Sequence, residues 1–103
     1  MFLVVFRSRK RADIDEAAYA RDAARMEVLA RTQPGFLSFK RFEAADGEIV
    51  AISEWASEAA VHAWGSHPEH AVIQKRGRSD YYEQYTVFSC IDPHLRRFER
   101  SDP

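Results

Sequence analysis

The stretch FLSFKRFEAADGEIVAISEW, Phe36–Trp55, decides the fold. Two β-prone runs, Phe36–Phe42 and Ile49–Trp55, flank Ala45-Asp46-Gly47-Glu48. Asp-Gly tolerates the positive backbone angles of a tight hairpin turn, so the two runs predict an antiparallel pair. Along the second run Ile49, Ala51, Ser53 and Trp55 share one face, and Val50, Ile52 and Glu54 share the other.

Working outward from the hairpin, Pro34-Gly35 stops a helix on its N-terminal side. Tyr19, Ala23, Met26 and Ala30 give that helix an apolar stripe at 3.6-residue spacing. Asp13, with Glu16 three residues on, is its expected capping box. Before it, Phe2–Phe6 is continuous and apolar, within a strand at Met1–Ser8 that should be buried on both faces. On the C-terminal side Ser57 caps a second helix carrying Ala60, Val61 and Trp64. Gly65-Ser66-His67-Pro68 breaks it, and Pro68 suits the first turn of a restart with His67 at its cap. Gly77 ends the restart, Tyr81–Ile91 is the last strand, and Pro93 stops it. The order is βαββαβ. It predicts an α+β, ferredoxin-like domain over 1–92, a four-stranded antiparallel sheet with two helices on one face, and a polar tail over 93–103.

Both faces of this sheet are apolar. Phe2, Val4 and Phe6 alternate with Leu3 and Val5, and in the last strand Tyr82, Phe88 and Cys90 are expected to oppose Tyr85, Val87 and Ile91. Two helices cover one face only. A second copy of the chain, packed sheet to sheet about a two-fold axis, is the economical cover for the other, giving a homodimer. A cavity between helices and sheet would then take a small hydrophobic or aromatic ligand.

Composition narrows the class. At 103 residues, with 46% hydrophobic and 13% aromatic residues, the chain suits one folded domain. A net charge of −1 calls for neither nucleic acid nor an anionic membrane as partner. Arg7–Arg11 holds four basic residues without interleaved aromatics or glycines, which reads as a solvated strand end. No apolar run approaches the roughly 20 residues of a membrane span. One cysteine, Cys90, excludes an internal disulfide and reads as a small core residue. The expected compartment is the cytoplasm.

Gln33-Pro34-Gly35-Phe36, Ile52-Ser53-Glu54-Trp55, Ala63-Trp64 with His67-Pro68-Glu69-His70, and Gly77-Arg78 before Tyr81-Tyr82 together resemble the antibiotic biosynthesis monooxygenase domain family, from about Phe2 to Cys90. The resemblance implies a dimeric α+β barrel. Characterised members of that family include cofactor-free monooxygenases of polycyclic aromatic polyketides and enzymes that degrade haem, and many members have no known activity. Two departures bear on the choice. Gln74 stands where the haem-degrading members place a ligating histidine, and glutamine is a poor iron ligand. The chain contains no asparagine, a residue that both kinds of member use in the pocket.

A cofactor-free oxygenase needs an apolar cavity, one base and one or two hydrogen-bond donors. His70 is the expected catalytic base, because the first turn of the restarted helix disfavours a charged imidazole. Its plain structural alternative is a side chain that secures the helix break. Trp64, Tyr82, Tyr85 and His67 are the expected substrate-binding residues. Trp64 can equally be core, His67 a cap, and only one of the two tyrosines should face a given cavity. His67 and His70 lack a third ligand of suitable spacing, so no metal and no other cofactor is expected. The expected function is a cofactor-independent monooxygenase acting on a small aromatic or quinone-like compound. The alternative is a non-catalytic binding or sensing dimer, with haem binding or isomerase chemistry behind both.

Overall fold

A computed structural model describes residues 1–101; the last two positions of the expected tail, 102 and 103, lie outside the described residues. The strands are β1 (Phe2–Lys10), β2 (Phe36–Glu43), β3 (Ile49–Trp55) and β4 (Tyr82–Ile91). The helices are α1 (Glu16–Ala30), α2 (Glu58–Gly65) and α3 (Pro68–Arg76), with a π-turn at Gly77–Tyr81 leading into β4. All pairings are antiparallel, in the order β2-β3-β1-β4. This is the ferredoxin-like βαββαβ arrangement, with its second helix divided at Gly65–His67.

Local chemistry accounts for the element ends. Gly47 takes a φ of 91° in the hairpin turn, and Asp46 accepts from the Glu48 amide. Gly35 takes a φ of 84°, and a side chain there would drive a Cβ to 2.6 Å from that of Ala60. Ser57 caps α2 by accepting from the Ala60 amide, and the His67 ring caps α3 by accepting from the Glu69 amide. The cap of α1 corrects the sequence reading. Asp15, not Asp13, accepts from the Ala18 amide, while Asp13 is drawn into a pair with Arg11.

The four basic residues near the end of β1 are matched by carboxylates: Arg7 with Glu48, Arg9 with Asp46, Lys10 with Glu16 and Arg11 with Asp13. Opposite charges therefore neutralise that stretch.

The core lies under the helices at the Phe2 end of β1. Phe2, Ala30, Trp55 and Trp64 are buried there, with Val4, Met26, Leu29, Phe36, Ala60 and Val61 packed around them. The strand register places Phe2, Val4, Phe6 and Ser8 on this face with Trp55, Ser53, Ala51 and Ile49. The opposite face carries Leu3, Val5, Val50, Ile52, Phe42 and Phe88, and among the described residues no helix rests on it. Phe42 and Phe88 are 46% and 52% exposed. Cys90 belongs to this uncovered face and is exposed, which corrects its reading as a core residue. Among the described residues no helix is long and apolar enough to cross a membrane.

Candidate functional site

Two clusters occupy the helix-covered side of the sheet. The first forms where α2 breaks. Trp64, on the last turn of α2, is only 9% exposed and stacks on Trp55, with centroids 6.3 Å apart and planes 24° apart. Phe36 meets Trp55 edge-on at 5.5 Å. On the other side of Trp64 lies His70, its ring 4.0 Å away and tilted by only 12°. His67 leans against the same indole at 5.8 Å. The turn at Gly65–His67 brings the first turn of α3 back over Trp64, so the break creates the stack.

One contact fixes the chemistry of His70. Its Nδ1 lies 2.9 Å from the Trp64 carbonyl oxygen. A carbonyl can only accept, so Nδ1 carries the proton and donates. In the neutral ring Nε2 is then the basic nitrogen, and among the described residues it has no hydrogen-bond partner. Burial pushes the imidazole below its ordinary value, the Trp64 carbonyl partly opposes this, and His67 adds a small lowering. A neutral ring with a free Nε2 can take a proton near pH 7.

The second cluster sits at the Lys10 end of β1. Tyr82 and Tyr85 both pack on Phe6, at 5.6 and 5.2 Å, and lie 5.8 Å from each other. The expectation that they face opposite sides is overturned by a bulge. Gln84 pairs with Arg9 and Tyr82 pairs with Lys10, so Glu83 is an extra residue that reverses the alternation. Tyr19 adds its ring edge-on to Tyr82 at 6.3 Å and accepts a hydrogen bond from Arg41 at 3.0 Å. Burial raises the Tyr82 phenol well above its ordinary value, and Tyr19 reinforces the shift. It is therefore a donor and not a phenolate. Ser8, paired with Tyr85 and Ile49, holds a buried hydroxyl without a protein partner among the described residues.

The two clusters share a face but do not touch. Trp55 pairs with Phe2 and Tyr85 with Ser8, six residues further along β1, which is about 20 Å at strand spacing. The candidates thus fall into two groups: Trp64, His67 and His70 at one end, Tyr82 and Tyr85 at the other. Two surface hollows lie elsewhere. One, of about 340 Å³, is lined by small residues around Gly35 and Ala60, and the other, of about 430 Å³, runs between α1 and α3.

Sequence reading missed a buried polar network beside the second cluster. Asp22 on α1 is 9% exposed. It accepts two bonds from Arg76, at 2.7 and 2.9 Å, and one from the Tyr81 hydroxyl at 2.5 Å. Burial alone would raise the Asp22 carboxyl, but these donors outweigh it and hold the group below the ordinary carboxylate range. Burial, then Asp22, raises the Tyr81 phenol. A signal was present: Asp22 stands three residues after Tyr19 and four before Met26, on the stripe that faces the sheet.

The fold defines the class: a small ferredoxin-like α+β domain whose helix-covered face carries the Trp55–Trp64–His70 stack at one end and the paired tyrosines at the other. The chain belongs to the antibiotic biosynthesis monooxygenase family, whose model matches residues 1–76. It is 38% identical over 100 residues to the uncharacterized protein YqjZ of Bacillus subtilis (strain 168), covering 97% of this chain and 86% of that one. Similar solved structures include Rv0793 from Mycobacterium tuberculosis, at TM-score 0.78 and 22% identity, covering 91% of this chain and 96% of that one. A mutant of SnoaB, a cofactor-independent oxygenase from Streptomyces nogalater, matches at TM-score 0.76 and 18% identity, covering 91% and 94%. At these identities the solved structures speak to the fold.

Proposed function

We propose that the protein is a cofactor-independent monooxygenase for a small aromatic or quinone-like compound, with His70 as the catalytic base. The observation that carries this reading is the His70 tautomer. Trp64 holds Nδ1–H, and Nε2 is left basic on a ring that burial keeps neutral. Family membership supports a monooxygenase-like role.

The chemistry balances without a metal or flavin. Nε2 takes a proton from an acidic C–H or phenol of the substrate, leaving an electron-rich carbanion. That carbanion passes one electron to molecular oxygen and combines with it as a peroxide anion, which takes the proton back from the His70 imidazolium to give a hydroperoxide. Loss of water leaves a carbonyl, so a CH2 group and O2 become C=O and H2O. Trp64 and His67 would hold the flat ring system beside His70, while Tyr82 and Tyr85, about 20 Å away at strand spacing, would contact a ligand only in a separate position at the Lys10 end.

The uncovered face of Leu3, Val5, Val50, Ile52, Phe42 and Phe88 would pack against a second copy, giving a homodimer. Both copies would then keep their helix-covered faces outward.

A second reading, ligand binding without turnover, is favoured by one observation: the described hollows hold neither Trp64 nor His70. Oxygen uptake with a panel of anthrones, quinols and phenols separates the two. The oxygenase reading expects uptake with at least one substrate and loss of at least tenfold in His70→Gln. Binding of a panel member with no uptake would establish the second reading.

A further inference from the structure

Helix α3 differs from the other helices in what holds it. None of its nine residues is buried, and Val72 is more than half exposed. It is bounded by the break at Gly65–His67 and by the π-turn at Gly77–Tyr81. Gly77 lies so close to the Tyr82 ring that a Cβ there would approach it to 2.8 Å. Two reciprocal ion pairs tie α3 to α1. Near its start Glu69 accepts two bonds from Arg25, at 2.8 and 2.9 Å. In its last turn Arg76 donates two to Asp22. Between these pairs the α1–α3 interface is open: the hollow of about 430 Å³ is lined by both pairs together with Pro68, Val72 and Ile73. His70 rides on the same helix, so any movement of α3 carries the ring away from Trp64.

We propose that α3 is a lid, latched to α1 by the Arg25–Glu69 and Asp22–Arg76 pairs, that opens as one unit over Pro68–Arg76 about hinges at Gly65–His67 and Gly77. A helix held by apolar burial opens only when the core does. One held by two charge pairs and by the single contact of His70 with Trp64 can open while the sheet stays intact. Arginine–carboxylate forks give the closed position a defined geometry, and the exposed Arg25–Glu69 fork makes opening sensitive to salt. That the lid admits a ligand rests on the function proposed above; the opening itself does not.

Native-state hydrogen exchange, read by mass spectrometry or NMR without substrate, tests this directly. The hydrogen-bonded amides of α3, from Ala71 to Arg76, should exchange at a common rate, faster than those of β1 and β3. Sodium chloride should raise that rate. Glu69→Gln, a surface change, should raise it about two- to threefold. Arg76→Gln should raise it roughly tenfold, with β1 and β3 little changed. Exchange graded from one end of α3 would mean simple fraying and would overturn the lid. So would rates in α3 that follow those of the sheet, or that neither substitution alters.

Discussion

The two ends of the helix-covered face contain similar residue types put to different use. At the Phe2 end, Trp55, Trp64 and His70 stack, and among the described residues the one hydrogen bond of the His70 ring runs through Nδ1. At the Lys10 end, Asp22 is saturated by Arg76 and Tyr81. A buried polar network whose members are all paired adds rigidity and offers nothing to a substrate. A half-satisfied imidazole beside an apolar stack does the reverse. Under the proposed function, chemistry falls to His70 and structure to Asp22, although both are titratable and withdrawn from water.

The largest effect that would sharpen this contrast comes from the stack. Trp64→Ala removes a buried indole from between Trp55 and His70, and about 3–5 kcal/mol of stability should go with it. It should also free His70, moving its titration back toward the ordinary histidine value. Urea unfolding and a proton NMR titration would show both. A stability loss with an unmoved histidine would mean that Trp64 does not set the His70 environment.

Next in size is Asp22→Ala, which leaves Tyr81 and Arg76 without their acceptor. Arg76 is partly solvated, so the cost should be about 2–3 kcal/mol. The sign of the pH dependence follows from the lowered Asp22 group. Its contribution is fully present above the unfolded carboxylate value of 3.8 and is lost as pH falls through the lower folded value. Asp22→Asn should flatten stability in that acid window and leave the His70 titration where it is. A shift at His70 would break the separation of the two ends.

How much of this was legible in the sequence depended on range. The hairpin, the Ser57 cap and the His67-Pro68 restart are written in adjacent residues, and each formed as read. The stacking of His70 on Trp64 follows from that restart. Asp13 and Asp15 could not be ranked as caps without knowing that Arg11 would hold the former. Tyr82 and Tyr85 were assigned to opposite faces because strict alternation was assumed, and a one-residue bulge in a polar stretch of strand leaves no hydrophobic signature. Asp22 was passed over because its partners lie 54 and 59 residues away. Long-range polar networks become readable only once the fold brings their members together.

The account rests on His70 being neutral, protonated on Nδ1 and basic at Nε2. Nitrogen-15 NMR of the histidine ring across pH tests that directly. The result expected is the Nδ1–H tautomer, with a midpoint below the ordinary 6.5 for histidine. Because that folded value is depressed, the His70 contribution to stability should be complete above 6.5 and fade as pH falls through the folded midpoint. A ring protonated at Nε2, or a midpoint at or above 6.5, would contradict the assignment of His70 as the base.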